Sequence, residues 1–139
     1  APILQAFCAA GWEFHVAPAY MQAYSERRGT DYGGLTVYAE KRIYVSASVS
    51  VIHEFGHFLA WELGFPPEHD ALYCAEQESA RTVLRDYAVT NSQEYFADYF
   101  SFWIRNSDDK SEMERLKAAT PQTYAYFAAL EACGWTGSS

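Results

Sequence analysis

His53-Glu54-Phe55-Gly56-His57 brings two imidazoles and a carboxylate together within five residues. In an α-helix, positions four apart stand one turn above each other with β-carbons roughly 5–6 Å apart, so both rings can reach one metal ion. Zinc accepts neutral imidazole nitrogens at about 2.0–2.1 Å, and its catalytic sites keep one coordination position open for water. Glu54, one residue beyond the first ligand, leans toward that water and serves as its base. The chemistry predicted is zinc-assisted hydrolysis, with His53 and His57 as ligands and Glu54 as general base. Read blandly, the histidines are ordinary polar residues on a helix.

The flanks supply the helix that this chemistry needs. Val49, Val51, Ile52, Phe55, Phe58, Leu59 and Trp61 recur at helical spacing, and Gly64, Pro66 and Pro67 give a stop signal. A third ligand must come from elsewhere. One zinc-enzyme class extends the motif with Gly three residues after the second His and another His three later, but Ala60 and Leu63 stand there. His15 and His69 have no comparable spacing. A Glu from a second helix is the usual alternative, and the best candidate is Glu94 in Asn91-Ser92-Gln93-Glu94-Tyr95-Phe96-Ala97-Asp98. Asp98 lies one turn further on the same face, placed to orient a ligand imidazole. Two carboxylates at this spacing repel each other without a cation. Glu94 could instead belong to a helix cap begun by Asn91, but Thr90 with Gln93 fits the capping box equally well, so Glu94 is not needed for capping.

Together with Tyr87, Thr90-Asn91 and Phe100, these residues make the chain resemble the gluzincin domain family of anthrax lethal factor, which the secreted Pro-Pro endopeptidases share. The similarity continues through Glu114-Arg115-Leu116-Lys117 and Ala119-Thr120-Pro121-Gln122-Thr123-Tyr124, over about the C-terminal two thirds. Upstream, Gly33-Gly34-Leu35-Thr36 and Ile43-Tyr44-Val45-Ser46 resemble the strands before the active helix in such domains. The resemblance implies one zinc ion per chain on His53, His57 and Glu94, with Glu54 as base and Asp98 supporting a ligand. It also implies that Tyr87 stabilises the oxyanion, although a phenol on a helix is more often packing. The substrate implied is a peptide or protein, the first bond to test is Pro-Pro, and the compartment is extracellular. Sheet edges in zincin-like domains bind extended peptides by adding a strand, which gives Gly34, Leu35 and Thr36 a substrate-binding role and the hairpin with Tyr38 and Tyr44 a function. A turn at Gly33-Gly34 and a solvent-facing hairpin are the plainer alternatives. A non-catalytic zinc-stabilised peptide-binding domain, and a catalytic fragment of a larger toxin-like protease, are the other functional readings.

The remaining sequence bounds these readings. A chain of 139 residues buries roughly 65–70% of its unfolded surface, enough for one core without staples. The expectation is a single domain over 1–139, with the sheet and HExxH helix in 1–64 and a helical part carrying the Glu ligand in 65–139. A 50% hydrophobic and 17% aromatic composition argues against disorder, and no apolar run is long enough for a membrane span. The net charge of −8 repels phosphate backbones, so nucleic acid is not expected as a partner. Cys8, Cys74 and Cys133 lack Cys-x-x-Cys spacing, leaving one disulfide plus a spare thiol, or three buried reduced thiols. The start Ala1-Pro2-Ile3 carries no signal peptide. Nothing fixes the oligomeric state, and a monomer is expected.

Along the chain, Pro2 to Ala10 reads as a helix ending at Gly11. Trp12, Phe14 and Val16 alternate with Glu13, His15 and Ala17 as a strand. Pro18 opens a helix ending near Gly29. Leu35–Tyr38 and Ile43–Ser46 make a hairpin around Ala39-Glu40-Lys41-Arg42, and the active helix follows. After a loop with Pro66 and Pro67 come a helix around Ala75–Asp86, the Glu94 helix to about Arg105, and two more, the last starting at Thr120-Pro121. The fold expected is α+β and zincin-like: a small mixed sheet with an edge strand next to the active-site helix, and a mainly helical C-terminal half.

Overall fold

The computed structural model describes residues 2–16, 34–45 and 51–135. Helix α1 (Pro2–Ala9) passes through Gly11, in the left-handed conformation at φ +84°, into strand β1 (Glu13–Val16). Strands β2 (Gly34–Val37) and β3 (Arg42–Val45) are joined by a 3₁₀ turn, Tyr38–Glu40. The sheet runs in the order β1-β3-β2, with β1 parallel and β2 antiparallel to β3. It is the small mixed sheet expected, and its edge strand β2 packs beside the HExxH helix. Tyr38 leaves the strand for the 3₁₀ turn, and the two hairpin strands start at Gly34 and Arg42, each one residue earlier than the alternation suggests. The helix read from Pro18 to Gly29, and Ser46, lie outside the described residues.

The rest is helical: α2 (Val51–Glu62), α3 (Pro67–Ala80), a 3₁₀ turn (Asp86–Val89), α4 (Ser92–Asn106), α5 (Lys110–Ala119) and α6 (Pro121–Ala132). The expected helix over Ala75–Asp86 is corrected by α3, which begins at Pro67 and ends at Ala80. Proline is favoured at the first helical position because its missing N–H would be unpaired there anyway, and Glu68 and Asp70 in the first turn complement the helix dipole. Pro67 is therefore a start signal and not the loop it resembled. Asn91 caps α4 by accepting the Glu94 amide at 2.8 Å, so the alternative cap at Thr90 is not used. At α6 the cap comes from a neighbouring helix. The buried Glu76 carboxylate of α3 accepts the amides of Gln122 and Thr123 and the Thr123 hydroxyl, at 2.6–2.9 Å.

Two apolar clusters meet on α2. Phe58 packs with Phe7, Trp12 and Ile43 under the sheet, while Leu59 and Ala60 belong to the larger helical core around Tyr95, Phe96, Tyr99, Leu116 and Phe127. Helix α4 is buried without interruption from Tyr95 to Trp103. Its buried phenols are paired, Tyr95 with Thr123 at 2.9 Å and Tyr99 with Thr120 at 2.7 Å, as buried hydroxyls must be. Cys8, Cys74 and Cys133 are exposed and no disulfide joins them, so neither the disulfide nor the buried state holds. No helix among the described residues is long and apolar enough to cross a membrane.

The closest approach of α2 and α4 is at Gly56. A β-carbon there would stand 2.7 Å from Ala97 Cα, 3.0 Å from its carbonyl oxygen and 3.2 Å from its β-carbon. The nearest two are backbone atoms of a buried helix and cannot swing aside. Alanine for glycine in a helix ordinarily gains up to about 1 kcal/mol, whereas overpacking costs about 1–3 kcal/mol. Gly56→Ala is expected to be destabilising by about 1–2 kcal/mol, read as a melting temperature several degrees lower. An unchanged or raised melting temperature would show that the helices are not held this close.

Candidate metal centre

The Gly56–Ala97 contact aligns two matching sets of side chains. His53 and His57 lie three residues before and one after Gly56, and Glu94 and Asp98 lie three before and one after Ala97. Glu94 Oε1 consequently stands 3.0 Å from His53 Nε2 and 2.8 Å from His57 Nε2. The donor atoms of these three residues all lie within 4.8 Å of one another.

The set fits a metal ion of the zinc type. Two imidazole nitrogens and a carboxylate oxygen are its usual catalytic donors, and ligands at about 2.0–2.1 Å in tetrahedral array stand about 3.3 Å apart. The observed separations need to open by only a few tenths of an ångström. Each imidazole also has its other nitrogen engaged, and at His53 the partner is an acceptor-only carboxylate, which places a proton on Nδ1 and suits Nε2 to a metal. His53 Nδ1 lies 2.6 Å from Asp98 Oδ1, so its N–H donates to that carboxylate. His57 Nδ1 lies 3.1 Å from the Tyr38 hydroxyl.

Asp98, expected to orient a ligand imidazole, contacts His53 and is itself held. Arg85 donates to it through Nε at 2.7 Å and Nη2 at 2.8 Å, a bidentate pair of the strong, directional kind. The same guanidinium lies 4.9 Å over the Tyr87 ring, and the Tyr87 hydroxyl donates to Glu94 Oε2 at 2.9 Å. Glu54 is 4% exposed, with Oε2 3.9 Å from His53 Nε2, and its Oε1 accepts the Thr36 hydroxyl at 2.5 Å. Thr36 and Tyr38, two apart on the edge hairpin, thus both reach α2, one touching the candidate base and the other a ligand.

Charge and burial act together here. Burial alone pushes His53 down, but hydrogen bonds to Asp98 and Glu94 and the nearby charges of Glu54 and Asp98 raise its pKa to about 9. Burial pushes Glu94 up, yet the two histidines more than reverse this and hold its carboxyl well below the usual range. Asp98 is likewise lowered, burial being outweighed by His53 and Arg85. Without a metal, a proton on His53 bridges carboxylates that would otherwise repel.

The residues singled out from sequence therefore come together: His53, Glu54, His57, Tyr87, Glu94 and Asp98 share one site. Of the three edge-strand residues, Thr36 touches Glu54, while Gly34 and Leu35 pair with Val45 and Tyr44. Tyr38 was read only as part of a docking hairpin, although its place two residues after Thr36 carried the signal. Arg85 had no local signal, since an Asp that needs a cation is visible only when its burial is known. His69 is separate from the centre, stacked on Phe96 at 4.1 Å and paired with the Tyr126 hydroxyl.

The family model for anthrax toxin lethal factor, N- and C-terminal domain, matches residues 21–130. The chain belongs to this family. The lethal factor match begins further upstream than the motifs do and takes in both the edge hairpin and the metal centre. No curated protein and no solved structure gives a significant match. The lethal factor model describes two domains of that toxin, so the chemistry must rest on the residues of this chain.

Zinc has to displace the proton on His53, which sets the sign of the pH dependence. In the metal-free protein the raised pKa contributes stability that is full below about 6.5, the unfolded value, and is lost as pH rises through about 9. Metal binding needs the deprotonated ring. The rise in melting temperature on adding zinc, against a chelated control at fixed free zinc, is expected to grow from pH 6.5 toward 9. A gain that shrinks over this range would count against His53 as a ligand. Asp98→Asn is expected to weaken zinc binding by roughly 10–100-fold in competition titrations.

Proposed function

We propose that the protein is a zinc-dependent endopeptidase with His53, His57 and Glu94 as ligands and Glu54 as general base. The observation that carries this reading is Glu54: a buried carboxylate 3.9 Å from a ligand nitrogen and held by Thr36. A purely structural metal site is closed by its ligands and has no use for a base beside them. This also weighs against the non-catalytic peptide-binding alternative.

When bound, zinc supplies Lewis-acid polarisation of a water and of the scissile carbonyl. Glu54 takes the proton of the attacking water and passes it to the leaving amine. The Thr36 hydroxyl holds Oε1 of Glu54 and leaves Oε2 3.9 Å from His53 Nε2. Tyr87 is held over the centre by Glu94 and Arg85, and its phenol is the donor for the developing oxyanion. The outer edge of β2, at Gly34, Leu35 and Thr36, is the docking edge for an extended substrate, which adds a strand antiparallel or parallel to it. The Pro-Pro bond is the first to test, on the resemblance to the Pro-Pro endopeptidases. Secretion, a single domain over 1–139 and a monomeric state complete the reading.

The test is mass-spectrometric cleavage profiling of a peptide library seeded with Pro-Pro sequences, with zinc content measured in parallel. Glu54→Ala is expected to keep its zinc and lose roughly 10²–10⁴-fold in turnover, and Tyr87→Phe to keep zinc and lose about 10²-fold. His57→Ala and Glu94→Ala are expected to lose the metal as well. Cleavage by Glu54→Ala at the wild-type rate, or undiminished zinc affinity in Glu94→Ala, would remove the corresponding role.

A further inference from the structure

The turn that ends α2 is unusual for its sequence. Gly64, at φ +80°, closes the helix, and the Phe65 amide donates to the Ala60 carbonyl at 2.9 Å. One left-handed residue is enough for such a cap. Phe65 nevertheless adopts φ +50° as a second, a conformation that a bulky L-residue adopts unfavourably. Its side chain is 42% exposed, so burial does not compensate the strain. Strained backbone retained in this way clusters at functional sites.

Phe65 is linked to the candidate metal centre through Tyr38. Its ring meets Tyr38 edge-on with centroids 5.3 Å apart, and the Tyr38 hydroxyl reaches His57 Nδ1. With Ala60 and Pro66 it forms the apolar part of the lining of a pocket of ≈ 80 Å³. Ala60 is one helical turn beyond His57. On the other helix the lining includes Ser92 and Gln93, the residues just before Glu94. The pocket is therefore continuous in sequence with ligands on both helices.

Its chemistry limits what it can hold. The Ser92 hydroxyl donates to Asp70, so that carboxylate is engaged. His69 is buried and paired with Tyr126, and burial pushes its pKa down to about 4, leaving it neutral. A dry cavity of ~150 Å³ takes a benzene ring. Half that volume excludes aromatic and long side chains.

We propose that this pocket is a side-chain subsite of the metal centre, that it receives a short residue of a peptide substrate, and that Phe65 determines its selectivity. The inference rests on the endopeptidase reading for its substrate class.

The test compares wild type, Phe65→Asn and Gln93→Trp. Asparagine tolerates the left-handed conformation, and Gln93 is exposed on α4, so both variants should fold. Libraries randomised at each position of a cleaved frame are profiled by mass spectrometry. The same peptides are titrated against zinc-loaded Glu54→Gln protein, with and without each pocket substitution. The wild type is expected to favour Ala, Val, Thr or Pro over Phe and Lys at one position by tenfold or more. Phe65→Asn should erase that preference without lowering the melting temperature or the zinc content, and Gln93→Trp should narrow it toward Gly and Ala.

Cleavage with the same profile in all three proteins would overturn the subsite and leave the peptidase reading intact. Absence of cleavage, with a short-residue binding preference that Phe65→Asn abolishes, would overturn the peptidase reading and support the subsite. Absence of both would overturn both. A melting temperature lowered in Phe65→Asn with an unchanged profile would make Phe65 a structural residue and overturn its role in selectivity.

Discussion

Helices α2 and α4 can bring their functional side chains together only because Gly56 lets their backbones nearly touch. The β-carbon position of Gly56 lies 2.7 Å from Ala97 Cα, so any larger residue would force the axes apart. From that contact the same offsets on each helix lead to His53 and His57 on one side and to Glu94 and Asp98 on the other. Donors that must converge to within a few tenths of an ångström thereby depend on one missing methyl group. The glycine inside the HExxH stretch is thus a packing residue, although it sits among catalytic ones.

The second constraint is electrostatic. Burying several ionisable groups against an apolar core is unfavourable unless each has a partner. Here the pairing runs in a chain from Arg85 to Asp98, to His53, to Glu94 and on to His57 and Tyr38. Only Arg85, at the outer end, is substantially exposed. The chain anchors the ligands in one orientation before a metal arrives, which lowers the reorganisation needed on binding. Thr36 does the same for Glu54 from the sheet side. The sheet thus has a structural reason to lie where it does: its edge strand holds the Glu54 carboxylate.

Membership of the lethal factor family and the chemistry of the centre come from different observations and support each other. The family model covers the fold from the edge hairpin to α6, while the proposed reaction rests on a small set of side chains within it. Phe65 and its pocket lie within the matched span but outside the candidate ligand set. They lie in the turn after α2, where a change of length or residue alters what the centre meets without touching the ligands.

Much of this was legible in the chain itself. The ligands, the base and the Glu94–Asp98 pair follow from spacing, because a helix converts an interval of four into one face. The strands and the hairpin followed from alternation and turn residues, and the mixed sheet with its edge strand from the zincin-like resemblance. Local patterns failed where one signal has two meanings: Pro66-Pro67 reads as a stop although Pro67 opens α3. Arg85, the Tyr38 contact with His57, the cap that Glu76 places on α6 and the strained Phe65 were decided only by the tertiary structure. Each depends on which residues distant in sequence share a buried environment, and periodicity records the faces of single elements and says nothing of the partner those faces meet.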